Sequence, residues 1–322
     1  MTTYVTIEEI ESAYKALPTL VRRTPILPCA LEPTHIGNER LFLKLENLQP
    51  TGAYKVRAAF TMVASLTAEQ RKRGVVLTSS GNFAQAFALA GKYYDVSIAV
   101  VMLSGTSPYK IEAARALGAE VHLFDGPAIE RQRQVEELGR RSGKTVIDTW
   151  EEHALIAGHG TLGLEILREK NDIQQILVPV SSGGMAAGVA TAVKSLAPQI
   201  RVIGVQPVGA NAAYLSLRAG KPVAIDKWET IADGLSAVRP GENPFAHIQR
   251  FVDEIVLVEE RDIGRAHVLL RQRAKIIAEP AGAVAAAAFI AGRIDVSLRT
   301  VAVVSGGNLT EEAMRALERL AQ

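Results

Sequence analysis

Short apolar runs alternate with longer amphipathic or alanine-rich segments along most of the chain. The short runs predict strands, and the longer segments, with apolar residues on one helical face, predict helices. The predicted strands cover residues 40–45, 74–78, 96–102, 120–124, 145–149, 176–180, 201–206, 254–258 and 300–304. The predicted helices cover residues 8–16, 55–66, 83–94, 108–117, 127–141, 154–170, 185–196, 212–218, 262–275, 281–291 and 310–320.

Strands and helices alternate throughout this prediction, and the strands are apolar along their whole length. Such strands are typical of parallel sheets that are covered by helices on both faces. With 322 residues, the chain is near the size at which one hydrophobic core divides into two. We therefore predict an α/β protein with two open parallel-sheet α/β domains. The large domain would comprise residues 1–49 and 149–322, and the small domain, residues 50–148, would be inserted in it.

Composition and charge exclude several classes of function. A net charge of +2 and 5% aromatic residues provide neither the basic face nor the stacking surface of a nucleic-acid-binding protein. The apolar run at residues 283–291 is too short to cross a bilayer, so we predict no membrane association. Cys29 is the only cysteine, which rules out an internal disulfide and CxxC-type metal sites. This cysteine usage predicts a cytoplasmic protein.

One lysine lies in an unusual setting. Lys55 comes shortly after the turn signal Gln-Pro-Thr-Gly and opens an alanine-rich helix. The same pattern is also typical of an ordinary solvated lysine at a helix start. Three glycine-containing loops elsewhere in the chain favour a functional lysine.

These three loops share one form, in which an apolar strand is followed by Ser and Gly residues and then by a helix. They cover residues 79–82, 181–184 and 305–308. Ligands bind at the carboxyl ends of the strands in an open parallel sheet, so the three loops can line one crevice. One such loop would indicate only a tight turn, but three in one chain indicate a binding site.

The residues of the loops indicate the chemistry of the ligand. Backbone N–H groups in loop 181–184, at the start of a helix, can bind an anion. The absence of a Walker A or GxGxxG pattern favours a phosphate monoester over a nucleotide. Loop 79–82 offers hydroxyls and the Asn82 amide, and Ser305 offers a neutral hydroxyl for a heteroaromatic nitrogen. Pyridoxal phosphate requires these groups together with a lysine that forms a Schiff base.

The chain resembles the fold type II pyridoxal-phosphate enzymes, specifically the threonine dehydratase and serine racemase group. The resemblance extends over nearly all 322 residues and rests on KLENLQPTGAYK, SSGN, AGHGT, VPVSSGGMAAG, TIADGL and the closing SGGN. It implies two α/β domains, with pyridoxal 5′-phosphate in the cleft between them, and a homodimer. Because the sequence ends one helix after SGGN, we expect no C-terminal regulatory domain.

The resemblance also implies a role for each residue that matches a motif. Lys55 is the lysine that binds the cofactor covalently, and Tyr54 stands where a Phe usually precedes it. The phosphate-binding residues are Ser181, Ser182, Gly183, Gly184 and Met185. Asn82 contacts the ring hydroxyl of the cofactor, Ser305 meets the pyridine nitrogen, and Ser80 is at the position of a second acid or base in racemases. The substrate-binding residues are Ser79, Ser80, Gly81, Asn82, Phe83 and Trp150.

The sequence departs from the pattern of this group at several positions. Ala58 replaces a usual Gly, and Phe83 replaces the His of SGNH. Gln206 and Ala212 stand where racemases carry acidic metal ligands, so we predict no metal site. Phe83 and Trp150 would make the substrate end of the site more apolar, although both could be ordinary core aromatics.

The implied reaction is an α,β-elimination that converts a β-hydroxy amino acid to a 2-oxo acid and ammonia, with Lys55 as the base at the α-carbon. L-Threonine and L-serine are the substrates implied by the resemblance, and the apolar departures favour a bulkier one such as L-threo-3-phenylserine. Two alternatives stay open. Lys55 and Ser80 on opposite faces of the α-carbon would make a racemase, and the same fold could be a non-catalytic binding protein for a phosphorylated small molecule.

Overall fold

The structure of the chain is a computed structural model that describes residues 4–79, 81–126 and 130–322. The strands are β1 Ile26–Pro28, β2 Leu41–Leu45, β3 Val75–Thr78, β4 Ile98–Leu103, β5 Glu120–Phe124, β6 Thr145–Val146, β7 Gln175–Pro179, β8 Arg201–Pro207, β9 Glu254–Val258 and β10 Thr300–Val304. The helices are α1 Ile7–Ala16, α2 Lys55–Ser65, α3 Ala68–Arg73, α4 Asn82–Tyr94, α5 Pro108–Ala116, α6 Arg131–Ser142, α7 His153–Glu169, α8 Gly184–Leu196, α9 Ala212–Ala219, α10 Glu242–Phe251, α11 Glu260–Leu269, α12 Pro280–Ile290 and α13 Glu311–Leu320.

The strands form two sheets, with the orders β1-β2-β10-β7-β8-β9 and β5-β4-β3-β6. All neighbouring strands are parallel except β1, which pairs antiparallel with β2 at one edge of the larger sheet. Strands β2, β7 and β10 are buried along their whole length, as expected for strands that are covered on both faces. The predicted α/β class with parallel-sheet domains is confirmed.

The two sheets use different parts of the chain. The smaller sheet takes all its strands from β3 to β6, and the larger sheet takes strands from both sides of that stretch. Helix α12 is deeply buried in the core of the larger sheet, because its residues are small and apolar on every side. The division into residues 1–49 plus 149–322 and residues 50–148 stays a prediction.

Three strand ends place the glycine-containing loops. Strand β7 ends just before residues 181–184, and its neighbour β10 ends just before residues 305–308. Because these two strands are parallel neighbours, their loops emerge at the same edge of the larger sheet. The loop at residues 79–82 follows β3 in the smaller sheet, and hydrogen bonds described below join it to the larger sheet's loops.

Several elements differ from the sequence prediction. Strand β6 ends at Val146 rather than at residue 149, because the Asp148 carboxylate accepts a hydrogen bond from the Trp150 N–H at 2.9 Å and turns the chain. The predicted helix 262–275 ends at Leu269 and continues as the π-helical turn Leu270–Ala274. Residues 127–129 of the predicted helix 127–141 lie outside the described residues.

The sequence prediction missed three elements. Strand β1 is only three residues long, and helix α3 buries no residue, so neither produces an apolar pattern. Helix α10 begins with Gly241 as its N-cap and carries Pro244 in its first turn. Both residues favour turns in a sequence-based prediction, although the first turn of a helix tolerates proline. Among the described residues, no helix is long and apolar enough to cross a membrane.

Candidate active site

The turn before Lys55 and the loop at residues 305–308 form one hydrogen-bonded unit. The N–H of Tyr54 donates to the Ser305 carbonyl at 3.0 Å, and the N–H of Gly307 donates to the Gly52 carbonyl at 2.9 Å. These backbone bonds fix the start of α2 against the end of β10. Lys55, the first residue of α2, is therefore held beside Ser305 by the backbone, whatever its side chain does.

Aromatic rings surround the Lys55 side chain. Its Nζ lies 4.7 Å from the centroid of the Tyr54 ring and 4.4 Å from the centroid of the Phe83 ring. The faces of aromatic rings attract a cation at these distances. The His159 ring lies 4.9 Å from Tyr54 and 6.0 Å from Phe83, so the three rings form an aromatic cluster around Lys55. Lys55 itself is half-buried, which leaves it open to the cleft.

His159 belongs to this site, although the sequence analysis gave it no role. Its side chain is buried, and its Nδ1 has no hydrogen-bond partner among the described residues. Burial holds the pKa of His159 well below the ordinary value of 6.5, and the positive charges of Lys55 and Arg57 lower this pKa further. The imidazole is therefore neutral at neutral pH. A Cβ added to Gly184 would lie 3.3 Å from its Cδ2, so the imidazole also lies against loop 181–184.

The loop 181–184 leads into α8 with free backbone donors. Gly183 has φ of +105°, and a Cβ at this position would lie 2.8 Å from Ile248 Cδ1, so both conformation and space require glycine. The first intrahelical bond joins the Ala187 N–H to the Gly183 carbonyl at 2.9 Å. Within the described residues, the N–H groups of residues 184–186 have no hydrogen-bond acceptor. Such a helix start suits a phosphate.

The two serines of this loop are tied to the neighbouring segment. The Ser182 carbonyl accepts a hydrogen bond from the Gly241 N–H at 2.9 Å, and the Ser181 hydroxyl accepts one from the Ala237 N–H at 3.4 Å. Ser181 and Ser182 are both half-buried at the edge of the sheet, whereas Met185 is buried in the core below the loop. Met185 can therefore contribute its backbone N–H only.

Asn82 is held by hydrogen bonds at both ends of its amide. Its Nδ2 donates to Glu279 Oε1 at 2.7 Å, and its Oδ1 accepts from Asn308 Nδ2 at 2.7 Å. Glu279 is buried, and burial together with the negative charge of Asp233 raises its pKa to about 7. These bonds join the helix that follows β3 to the larger sheet, so the cleft between the sheets is closed at this point. The sequence analysis assigned no role to Glu279 or Asn308.

Ser79 and Gly81 of loop 79–82 have structural roles in the described contacts. The Ser79 hydroxyl accepts hydrogen bonds from the N–H groups of Gly81 at 3.3 Å and Ala84 at 3.2 Å, and so caps the first turn of α4. Ser80, the predicted second acid or base, lies outside the described residues. Phe83 is buried and packs against Phe87 at 5.1 Å as well as facing Lys55. Phe83 is thus both a core aromatic and part of the site.

Ser305 is joined by a backbone hydrogen bond to the residue before Lys55, whereas no such contact is described for Trp150. Ser305 is buried, and its hydroxyl lies 3.4 Å from the Ala281 carbonyl, beyond the usual O–H···O range of about 2.5–3.0 Å. That hydroxyl can therefore bond a ligand. Trp150 lies in the half-buried turn between β6 and α7, and among the described residues its ring contacts none of the aromatic cluster around Lys55. Its place in the substrate pocket stays a prediction.

The side-chain amide of Gln206 is hydrogen-bonded to the protein backbone at both ends. Gln206 is buried, its Nε2 donates to the Val180 carbonyl at 3.3 Å, and its Oε1 accepts from the Tyr214 N–H at 2.8 Å. Ala212 begins α9 and carries no ligand atom in its side chain. Within residues 4–79, 81–126 and 130–322, no group of three or more His, Cys, Asp or Glu side chains is arranged to hold a metal ion.

Comparison with known proteins gives consistent results. The sequence profile of the family described as "Pyridoxal-phosphate dependent enzyme" matches residues 17–306. The chain is 38% identical over 306 residues to the L-threonine ammonia-lyase of Thermotoga maritima, which covers 95% of this chain and 76% of that protein. It is 37% identical over 309 residues to the catabolic L-threonine dehydratase of Staphylococcus aureus, which covers 95% of this chain and 89% of that protein.

Solved structures with the same architecture include two plant proteins. The processed form of threonine deaminase isoform 2 from Solanum lycopersicum superimposes with a TM-score of 0.91 at 32% identity, covering 99% of this chain and 96% of that chain. Maize serine racemase superimposes with a TM-score of 0.91 at 30% identity, covering 98% of this chain and 97% of that chain.

Proposed function

The chain belongs to the pyridoxal-phosphate-dependent enzymes of fold type II, and on that premise we propose that it is a dehydratase of β-hydroxy amino acids. The products would be a 2-oxo acid and ammonia. The observation that carries the proposal is the Nζ of half-buried Lys55 between the rings of Tyr54 and Phe83. Both rings pack on His159, which lies against the uncapped start of α8. The names of the relatives from Thermotoga maritima and Staphylococcus aureus support elimination as the reaction.

The residues of the site fit pyridoxal phosphate. The free N–H groups at the start of α8 suit a phosphate monoester, and the Ser305 hydroxyl suits a pyridine nitrogen without protonating it. Asn82 has an N–H for the ring hydroxyl, and Lys55 supplies the amine that binds the aldehyde carbon. When bound, pyridoxal phosphate supplies the electron sink that makes the α-C–H bond of an amino acid acidic.

We propose that Lys55 moves the proton at the substrate α-carbon. Its Nζ is held between the Tyr54 and Phe83 rings, which exclude water from two sides of the amine. Neutral His159 adds no second positive charge beside it. Ser305 presents a neutral hydroxyl where a carboxylate would keep a proton on the ring nitrogen. Without a proton on its ring nitrogen, the cofactor would be a weaker electron sink. We expect this weaker electron sink to favour loss of the β-hydroxyl over return of the proton to the α-carbon.

For the substrate, we propose a β-hydroxy amino acid with a bulky apolar β-substituent, represented by L-threo-3-phenylserine. Support comes from Phe83, whose ring lies 4.4 Å from Lys55 Nζ and is therefore close to the reacting amine. An aromatic ring at this position favours an apolar group of the substrate over a polar one. L-Threonine and L-serine are the alternatives, and the names of the relatives support L-threonine.

The decisive test is release of 2-oxo acid and ammonia from L-threonine, L-serine and L-threo-3-phenylserine, measured side by side with chiral analysis of the remaining substrate. We expect oxo acid from all three and the highest kcat/KM for phenylserine. Lys55→Ala should abolish turnover and the cofactor's visible absorption. Full turnover by Lys55→Ala would disprove the dehydratase mechanism, and a higher kcat/KM for serine than for phenylserine would disprove the substrate preference alone.

A matched pair of variants tests Phe83 directly. Phe83→His should lower the ratio of kcat/KM for phenylserine to kcat/KM for threonine by about tenfold or more, because an apolar contact is replaced by a polar ring. Phe87→Leu, at the buried ring that packs on Phe83, should leave this ratio unchanged while lowering stability. Equal ratios in both variants would show that Phe83 is a core residue only.

A racemase is the second candidate, supported by the structural similarity to maize serine racemase. It would need a second base on the face of the α-carbon opposite Lys55, and Ser80 is the candidate from the sequence. Inverted substrate without oxo acid would favour this alternative. We further propose a homodimer, which the resemblance implies, and a cytoplasmic location, which the single cysteine favours. Light scattering coupled to gel filtration tests the dimer, and cell fractionation tests the compartment.

A further inference from the structure

We propose that Glu279 is a positioning residue that fixes, together with Asn308, which end of the Asn82 amide faces the bound cofactor. The inference rests on the proposed function, because it takes Asn82 to face the ring hydroxyl of pyridoxal phosphate. Glu279 contacts Asn82 through one hydrogen bond, and its carboxylate also accepts a hydrogen bond from the Asn308 backbone. Its role is therefore to orient a cofactor-binding group rather than to touch the reacting atoms.

A chain of hydrogen bonds fixes the direction of the amides. The Thr51 carbonyl can only accept a hydrogen bond, so the group that faces it at 2.8 Å must be the Asn308 Nδ2. The second N–H of the same Nδ2 donates to Asn82 Oδ1 at 2.7 Å. Asn308 therefore presents only a donor to Asn82, and the Asn82 oxygen must face it.

Glu279 completes the chain at its other end. The Asn82 Nδ2 donates to Glu279 Oε1 at 2.7 Å, and the ionised carboxylate accepts without donating. If the Asn82 amide turned over, its oxygen would face the carboxylate and its N–H groups would face the N–H of Asn308. The bond to Asn308 would be lost in either ionisation state of Glu279, and the bond to Glu279 would be lost while its carboxylate is ionised, so the two residues together oppose the reversed orientation.

One N–H of the Asn82 side-chain amide is not used in these bonds. Among the described residues, no acceptor other than Glu279 bonds Asn82 Nδ2, so its second N–H is available as a donor. The orientation imposed by Glu279 and Asn308 thus makes Asn82 a donor to the ligand, whereas the reversed amide would offer only its acceptor oxygen there. A donor stabilises a deprotonated ring oxygen on the cofactor.

The backbone holds Glu279 in a fixed position beside the Asn82 amide. It is the N-cap residue of α12, and its own N–H donates to the Gly306 carbonyl at 3.0 Å. A Cβ on Gly306 would overlap the Glu279 carboxylate, so that loop leaves space for the carboxylate only because residue 306 is glycine. Loop 305–308 therefore supports Ser305, Asn308 and Glu279 in one arrangement.

Replacing Glu279 while reading the cofactor spectrum tests the proposal. Glu279→Met keeps the bulk of the side chain but removes the acceptor. We expect its bound cofactor to shift from the visible band of the deprotonated ring hydroxyl toward the near-ultraviolet band of the protonated form. Affinity for pyridoxal phosphate should fall by about tenfold, the loss of one net hydrogen bond. Glu279→Gln still offers an accepting oxygen and should retain both the visible band and the affinity.

Further variants separate orientation from stability. Asn82→Ala and the double variant Asn82→Ala/Glu279→Met should have the same spectrum and affinity, because the proposed effect of Glu279 on the cofactor requires the Asn82 amide. Asn308→Asp replaces the donor that faces Asn82 Oδ1 and should reproduce the spectral shift with Glu279 intact, because it removes the other bond that fixes the amide. Glu279→Leu also removes the acceptor and keeps the test of Glu279 available if Glu279→Met fails to fold. Asp233→Asn removes a neighbouring carboxylate without touching Asn82 and should leave the spectrum unchanged.

The outcomes distinguish this inference from the proposed function. Wild-type protein that shows no visible band dependent on Lys55 would overturn the proposed function itself. A Lys55-dependent band that is unaltered in Glu279→Met would overturn the role of Glu279 and leave the proposed function standing. A band that is altered in Glu279→Met but unaltered in Asn308→Asp would show that Glu279 fixes the amide without Asn308, which supports its role. A lowered melting temperature with unchanged spectrum and affinity would make Glu279 a structural residue only.

Discussion

His159 is a buried histidine in the site whose pKa is lowered, so it stays neutral beside two positive charges. An imidazole that is buried beside Lys55 and Arg57 cannot take up a proton without placing a third positive charge in a region poor in water. It stays neutral and packs as a flat ring between Tyr54 and loop 181–184. Its unpartnered Nδ1 leaves one polar atom among the described residues for a bound ligand or water.

This environment predicts a pH dependence of stability. The pKa of His159 is depressed in the folded protein, so below about pH 6.5 the unfolded chain binds a proton that the folded chain does not. The stability that neutral His159 contributes is therefore present above that pH. It is lost as the pH falls, by up to about 1.4 kcal/mol per pH unit. The free energy of unfolding of the cofactor-free protein can be measured with denaturant, from about one pH unit above the ordinary histidine pKa to about one unit below it. Over this range it should fall more steeply with pH for wild type than for His159→Gln. His35→Gln, at an exposed position, should keep the wild-type slope, and a parallel loss in all three proteins would contradict the prediction.

Gly183 gives a second prediction at the scale of one residue. Gly183→Ala must accommodate a positive φ and a Cβ against Ile248, so we expect loop 181–184 to shift and the affinity for pyridoxal phosphate to fall by about tenfold or more. Gly143→Ala is the control, because Gly143 also has positive φ but open space around its Cβ, far from the loop in sequence. It should cost about 1 kcal/mol of stability and leave cofactor affinity unchanged, as measured by fluorescence titration. Similar cofactor affinities in the two variants would count against a phosphate site at this loop.

Residues that bear a local signal were accessible from sequence, and residues that act across the fold were not. Lys55, Asn82 and Ser305 each follow a turn or a strand end, and that local pattern is visible in the amino-acid sequence itself. Glu279 follows no such signal, because its partner Asn82 is 197 positions away in the chain. Sequence spacing carries no information about a contact of that range, so Glu279 required the fold.

At the scale of the element, helix α2 is held in place by a buried ionic network. The Arg57 guanidinium bonds Glu46 through Nε at 2.7 Å and Nη2 at 2.8 Å, and it also pairs with Glu165 on α7. Lys44 on β2 bonds the same Glu165 at 3.0 Å. Burial alone would lower the pKa of Arg57, but the two carboxylates raise it, so the group stays charged. The network thus fixes α2, and with it Lys55, to both β2 and α7.

Removing Arg57 should therefore leave two buried carboxylates without their main partner. We expect Arg57→Met to lower the free energy of unfolding by about 3–5 kcal/mol, since breaking a buried ion pair from one side leaves an uncompensated charge. Arg115→Met is the control, because Arg115 is exposed and pairs with Glu112 within one helix turn. That loss should stay below about 1 kcal/mol in urea unfolding. Comparable losses in both variants would mean that the buried network contributes little.

Elements with a strong periodic pattern were predicted well, and those without one were not. The strands of the larger sheet other than β1 and the helices α7, α8 and α12 were predicted to within a few residues, because long apolar stretches identify them. The π-helical turn at Leu270–Ala274 has the same composition as a helix and differs only in its hydrogen bonds, so the sequence could not reveal it. Helix α10 was hidden by its own Gly and Pro residues.

At the scale of the whole molecule, the site joins the two sheets. Asn82 follows a strand of the smaller sheet, and it bonds Glu279 and Asn308 beside strands of the larger sheet. Lys110 on α5 and Asp233 form an ion pair at 2.5 Å between the same two parts of the chain. A ligand that contacts both sides of the cleft would add further bonds to this connection.

Removal of the cofactor should therefore loosen the connection between the sheets more than it affects either sheet. Ligand present at about 100 times its dissociation constant stabilises the folded state by about 2.7 kcal/mol, which raises the melting temperature by several degrees. We expect cofactor-free protein to exchange amide hydrogens faster at the start of α2, the start of α8 and residues 305–308, with α6 and α13 unchanged as internal controls. Lys55→Ala saturated with pyridoxal phosphate should recover part of this protection through the phosphate contacts at α8 but not at α2. Uniformly faster exchange across the chain would show instead that the cofactor stabilises the fold as a whole and does not act as a specific link across the cleft.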